Sequence, residues 1–349
     1  MKKTILVIIV VITSMGVAAQ SNLKPRFGLT QTQINHIDTL LAQMAENNHA
    51  NFNYGIWEQD GQWGGATKMQ ILNRMLTADE IYYLALHHPS PAVRVTAGNI
   101  IVVRYTQLAP QLVMEMLADS GVFGTSAGCL GYYDFVGSRI LNVAVSEKHL
   151  SDSLLHVIDS LILLPEYRHI ERRGDVVSRM ALTDENHALL LRLWQEDGQS
   201  GALLKLATFH RDADTTLVIA ALQDKGGKRV RGNPYNRFPR PDQQALSAIA
   251  VWPHEAFKPH LEAIADENTQ NTQFYEALLA YDTEWAAACI DSIFARLARN
   301  PKNEVKSYAP QGQMTKWAGE ALYRAFNKLS HPSTELRRRL WNYLVVPRY

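Results

Sequence analysis

Gly124-Thr125-Ser126-Ala127-Gly128 is a G-x-S-x-G string. Small residues in this pattern permit a tight strand-to-helix turn that exposes a serine hydroxyl beside oxyanion-hole amides, which would make Ser126 a nucleophile. The flanks argue against that use: Gln111 to Met116 reads as a helix and Ala118 to Gly121 as a turn, where a strand should run into Gly124. A second chemistry belongs to the segment 225–240, which has six basic residues and no acid. Lys228, Arg229, Arg231 and Arg237 would attract an anionic partner, and Tyr235 would stack against a sugar. A third belongs to the Gly-, Asn- and Gln-rich stretch 51–65, where Tyr54, Trp57 and Trp63 could form an aromatic platform for carbohydrate or plug the open end of a helical stack. The 12 histidines are poorly spaced for metal. There is no H-E-x-x-H, His87 and His88 are adjacent, and His149 and His156 could share a helix face with Asp152 or Asp159, which helix capping and surface solvation explain equally well. No metal site and no cofactor are expected.

Gly-Thr-Ser-Ala-Gly resembles the nucleophile motif of patatin-like phospholipases, a resemblance that implies a serine hydrolase acting through Ser126. That family's upstream oxyanion segment is glycine-rich, whereas Asp60-Gly61-Gln62-Trp63-Gly64-Gly65 is interrupted by Gln62 and Trp63. Its downstream Asp-Gly-Gly or Asp-Gly-Ala has only Asp197-Gly198-Gln199 as a counterpart. Arg173-Gly174-Asp175 matches an adhesion tripeptide, which would require a displayed loop.

The elements that would position these groups read as helices. Thr30 to Glu46 places Ile34, Ile37, Leu40, Leu41 and Met44 at helical spacing. Thr77-Ala78-Asp79-Glu80 is a capping box. Ser90 and Pro91 fit the N-cap and first position of a helix running through Val93, Ile100 and Val103. Further amphipathic helices are expected over 151–163, 183–195, 201–209, 215–222, 242–251, 255–266, 272–281, 284–298, 314–329 and 333–344. Adjacent arginines Arg337, Arg338 and Arg339 splay around the last of these and suit its C-terminal dipole. Connections of a few residues force antiparallel neighbours, and period-2 strands are hard to find. The expected fold is all-α.

Turns of similar character recur at His88–Pro91, His210–Asp214, Trp252–His254 and Tyr281–Glu284, the spacing of helical-hairpin repeats. Pro89-Ser90-Pro91-Ala92-Val93-Arg94-Val95-Thr96-Ala97 is similar to the turn-plus-second-helix pattern of HEAT-like repeat proteins, and Leu206-Ala207-x-x-His210 echoes Leu84-Ala85-x-x-His88. The resemblance implies a stack of antiparallel hairpins that binds macromolecules on one face without catalysis. An irregular helical bundle is the alternative.

The chain's 349 residues, 46% hydrophobic and 20% charged, exclude a disordered, collagen-like or disulfide-stapled chain. A net charge of +1 gives no reason to expect nucleic acid. Met1-Lys2-Lys3, the apolar run Ile5 to Ile12 and the small residues up to Ala19 have the layout of a signal peptide, 1–19, with an apolar run too short to serve as a membrane anchor. Export, to a periplasm or outside the cell, would permit a bridge between Cys129 and Cys289, although two unpaired small hydrophobes fit equally well. The mature chain, 20–349, is expected to be one elongated helical-repeat domain with irregular loops near 51–66, 118–130 and 225–240. Its expected role is binding or scaffolding, with a protein or anionic glycan as partner; a serine hydrolase and a carbohydrate-binding protein are the alternatives.

Overall fold

The computed structural model describes residues 29–50, 52, 65–127, 130–199, 201–224, 240–299, 313–329 and 333–344. Among them are seventeen α-helices and one hairpin of two six-residue strands, so the chain is all-α in class. The described residues fall into two compact units that divide after Arg172.

The first unit begins with α1 (Gln31–Asn47), α2 (Gly65–Met75), α3 (Ala78–His87) and α4 (Pro91–Arg104). Capping boxes open α1 and α3: each threonine, Thr30 and Thr77, accepts from the third helical amide, and Gln33 or Glu80 returns a bond to the cap. These four bonds satisfy helix-end amides that would otherwise lack partners. On α1 the buried residues are Ile37, Leu40, Leu41 and Met44, one face of the 3.6-residue period.

α4 is the hub of this unit, touching α1, α2, α3, α5 (Ala109–Met116) and α6 (Val136–Ser146). It therefore buries ten of its fourteen residues, Thr96, Gly98 and Asn99 included. The Thr96 hydroxyl is satisfied by the Ala92 carbonyl at 2.7 Å. Pro91 occupies the first turn of α4 as its sequence suggests, but Ser90 caps by backbone position alone. Its hydroxyl makes no cap bond and is buried without a partner. His88 does the local work instead, its Nδ1 accepting the Ser90 amide at 3.1 Å.

The expected loop at 118–130 is in large part a β-hairpin. β1 (Val122–Ala127) and β2 (Leu130–Phe135) pair antiparallel, with Gly124 opposite Tyr133 and Ser126 opposite Gly131. Alternation was hard to see because β1 is short and built of small residues. Phe123, Gly124 and Thr125 are buried along it, and β1 is braced by backbone outside the hairpin: Ala50 N–H donates to Gly124 O at 2.8 Å and Gly124 N–H to Asn48 O at 2.9 Å. α6 leaves β2 directly, with no side-chain cap to announce it. α7 (Asp152–Leu161) is capped by Ser151 and closes the unit.

The second unit holds α8 (Arg173–Arg179), α9 (Asp184–Gln195), α10 (Ala202–Ala207), α11 (Thr215–Gln223), α12 (Pro241–Val251), α13 (Lys258–Ile264), α14 (Thr272–Leu279), α15 (Glu284–Arg299), α16 (Gln313–Phe326) and α17 (Thr334–Leu340). Here alternate helices touch in succession: α8 meets α10, α10 meets α12, α12 meets α14 and α14 meets α16. The first unit follows the same rule, α2 meeting α4 and α4 meeting α6. Members of these rows present small residues to their neighbours, as with Ala245 and Ala248 of α12, Ala277 of α14, and Ala318, Ala321 and Ala325 of α16. The expected helix over 255–266 is α only in its middle, tightening to 3₁₀ turns at 255–257 and 265–267. The expected helix 333–344 likewise ends in a 3₁₀ turn at 341–343. The echo between His88 and His210 does not reach the backbone, since His88 is extended at φ −67° and His210 is left-handed at φ 53°.

Two glycines give opposite predictions. A Cβ on Gly137, near the start of α6, would lie 2.6 Å from the Met116 carbonyl and 2.7 Å from that of Leu117, both backbone atoms. Gly137→Ala should cost about 1–3 kcal/mol. Gly174 in α8 has nothing within 4 Å of such an atom. Gly174→Ala should stabilise by about 0.5–1 kcal/mol through helix propensity. Urea unfolding of the two variants measures both signs.

Candidate functional site

A polar pocket of the first unit lies where α3 ends. The chain turns from α3 through His88-Pro89-Ser90 into α4, and α5 packs against both helices. This leaves a cavity of about 420 Å³ lined by His87, His88, Arg94, Glu115 and Asp119 among others. Arg94 is its strut. Nε and Nη2 donate to the two Asp119 oxygens at 2.7 and 2.9 Å, and Nη1 donates to the carbonyls of His88 at 2.9 Å and Pro89 at 3.0 Å. Asp119 Oδ1 also accepts the Gly121 amide at 2.9 Å. A Cβ at Gly121 would fall 2.4 Å from Arg94 Nη2, so the strut needs glycine there.

The imidazole of His88 is half-buried, and that burial, reinforced by the nearby Arg94 charge, holds its pKa below the ordinary value. With Nδ1 accepting from Ser90, the neutral ring carries its proton on Nε2. Glu115 accepts from two neutral groups, Tyr82 Oη at 3.1 Å and Gln111 Nε2 at 2.9 Å. Burial and the adjacent Glu115 carboxylate raise the Tyr82 phenol far above its usual range. The exposed ring of His87, which lines the pocket, meets the exposed Tyr83 ring at 4.5 Å. Arg94 belongs to the Pro-Val-Arg pattern legible in the sequence; Tyr82, Glu115 and Asp119 carry no motif, and only folding brings them to one place.

The sequence-predicted site residues are distributed differently. Ser126 is the fifth residue of β1, and the chain after it turns into a second antiparallel strand. The strand-to-helix elbow that a nucleophile of this type needs is not what the string forms. Tyr54, Trp57, Trp63, Lys228, Arg229, Arg231, Tyr235 and Arg237 lie outside the described residues, as does Cys129. Cys289 is a half-buried free thiol whose pKa is pushed up to about 11, by burial first and the Glu262 charge second. Arg173-Gly174-Asp175 is not a displayed loop: Arg173 opens α8, is 1% exposed and pairs with Asp197 at 2.7 Å. Asp159 is committed to Arg172 at 2.8 Å. His187 pairs with Asp214 at 2.8 Å in the second unit's interior. Arg338 pairs with Glu335, and Arg339 with Asp291. Among the described residues no group of three or more His, Cys, Asp or Glu side chains is placed to hold a metal ion, and no helix is long and apolar enough to cross a membrane.

Comparison with protein-family models, with curated proteins and with solved structures found no match. The functional reading therefore rests on the chain itself.

Two predictions test the site's construction. Asp119→Ala leaves a mostly buried guanidinium without its carboxylate and should cost about 1–3 kcal/mol, read as a fall in urea midpoint. His88 binds its proton less readily folded than unfolded, so its contribution is complete above pH ~6.5 and is lost as pH falls through the depressed folded pKa. Stability of the wild type relative to His88→Asn should decline over that acidic window, measured by denaturant titration at several pH values.

Proposed function

We propose that this chain is an exported, HEAT-like helical-repeat protein that binds a macromolecular partner along one face. The observation that carries the reading is a recurring sequence distance between bonded side chains. Arg94 reaches Asp119 across 25 residues, Arg173 reaches Asp197 across 24, and His187–Asp214 and Arg211–Asp184 each span 27. Ties of 24 to 27 residues between elements are of the kind that stacked units of similar size produce, each contacting its neighbours. The succession of alternate helices in contact supports the same reading.

The basic segment 225–240 is the specific contact, since it concentrates positive charge in a chain otherwise balanced. A sulfated glycan such as heparin, or an acidic protein surface, suits that charge. Residues 1–19 provide the export signal. N-terminal sequencing of the protein from a secreting host should begin at Gln20. Replacing Lys228, Arg229 and Arg231 by alanine should weaken heparin retention, with the wild type eluting at distinctly higher salt. Equal elution of wild type and triple variant would remove this segment as the contact.

A further inference from the structure

The geometry points to a saccharide site in the pocket at the end of α3, independent of macromolecular binding and of the basic segment. Its volume of about 420 Å³ lies within the range of small-molecule sites, about 300–1,000 Å³. What distinguishes it is hydrogen-bonding capacity of both senses with little net field. The Arg94 charge is taken up by Asp119, the His88 ring is neutral, and Glu115 is exposed, so its charge is screened by water. An anion would meet the Glu115 carboxylate, while the Arg94 guanidinium in the lining is already bonded to Asp119 and to two carbonyls. A bare cation would have no use for the donor Nε2 of His88.

A hydroxyl group both donates and accepts. It can give its proton to a Glu115 oxygen, each of which accepts one bond and has room for another, and take one from His88 Nε2–H. The His87 ring in the lining, packed on Tyr83, offers a flat face to the C–H side of a sugar ring. Strut and tautomer are fixed beforehand, by the four Arg94 bonds and the Ser90 amide, so little ordering is left to binding.

The test uses the full chain and the imidazole ¹H–¹⁵N signals, with His88 assigned from His88→Asn. Glucose, galactose, mannose and N-acetylglucosamine are titrated separately, alongside inorganic phosphate and ethylammonium. At least one saccharide should shift the His88 signal saturably, with phosphate and ethylammonium leaving it in place. Glu115→Gln should weaken that saccharide about tenfold. Its thermal midpoint should match the wild type, because Glu115 is exposed. The inference fails if no saccharide moves His88, if either ion moves it more, or if Glu115→Gln titrates like the wild type. Heparin retention is unaffected by any of these outcomes, so the two readings fail separately.

Discussion

A helix with neighbours on several sides must be apolar over most of its surface and narrow enough to let each of them approach. α4 and α12 meet that constraint with alanine, glycine and β-branched side chains, and much of each unit is arranged around them. Gly98 of α4 shows how tightly: an added Cβ would sit 2.8 Å from the Ile140 side chain of α6 and 3.1 Å from the Met116 sulfur of α5. Larger side chains along these rows would separate helices whose contact excludes water from both faces.

Two charged groups of the interior are held by a partner of opposite sign. Arg173 is almost wholly buried, and Asp197 lies beside it with its side chain equally enclosed. Such a pair adds modestly to stability against a well-packed apolar alternative, yet losing either member strands a charge in a poor solvent. These ties consequently fix which segment lies against which. Arg94 and Asp119 do the same in the first unit while shaping a pocket, which is how a packing device comes to border a cavity with polar walls.

The hairpin places residues 124–127 of the G-x-S-x-G string in a strand. Two glycines around a small triplet suit an elbow, and they equally suit a strand whose neighbour's backbone comes close. His49 Cδ2 would lie 3.1 Å from a Cβ on Gly124, so the small residue at this position makes room for the segment that braces β1. Spacing alone cannot separate the two uses, because both need the absence of a side chain.

The helices with strong local signals were legible in the chain alone. Thr30, Thr77, Ser151, Thr183 and Ser333 each mark a helix start through a side-chain bond to an amide two or three positions inside the helix, and the apolar period fixes the buried face. α6 and α8 begin without such a cap signal and were not legible, and the strands were obscured by small residues. The pocket was beyond reach for a different reason. His88 and Arg94 are local to one turn, but Glu115 and Asp119 join them only because α5 packs on α3 and α4. Periodicity reports what one segment prefers by itself; which carboxylate faces which guanidinium is settled by how the segments pack.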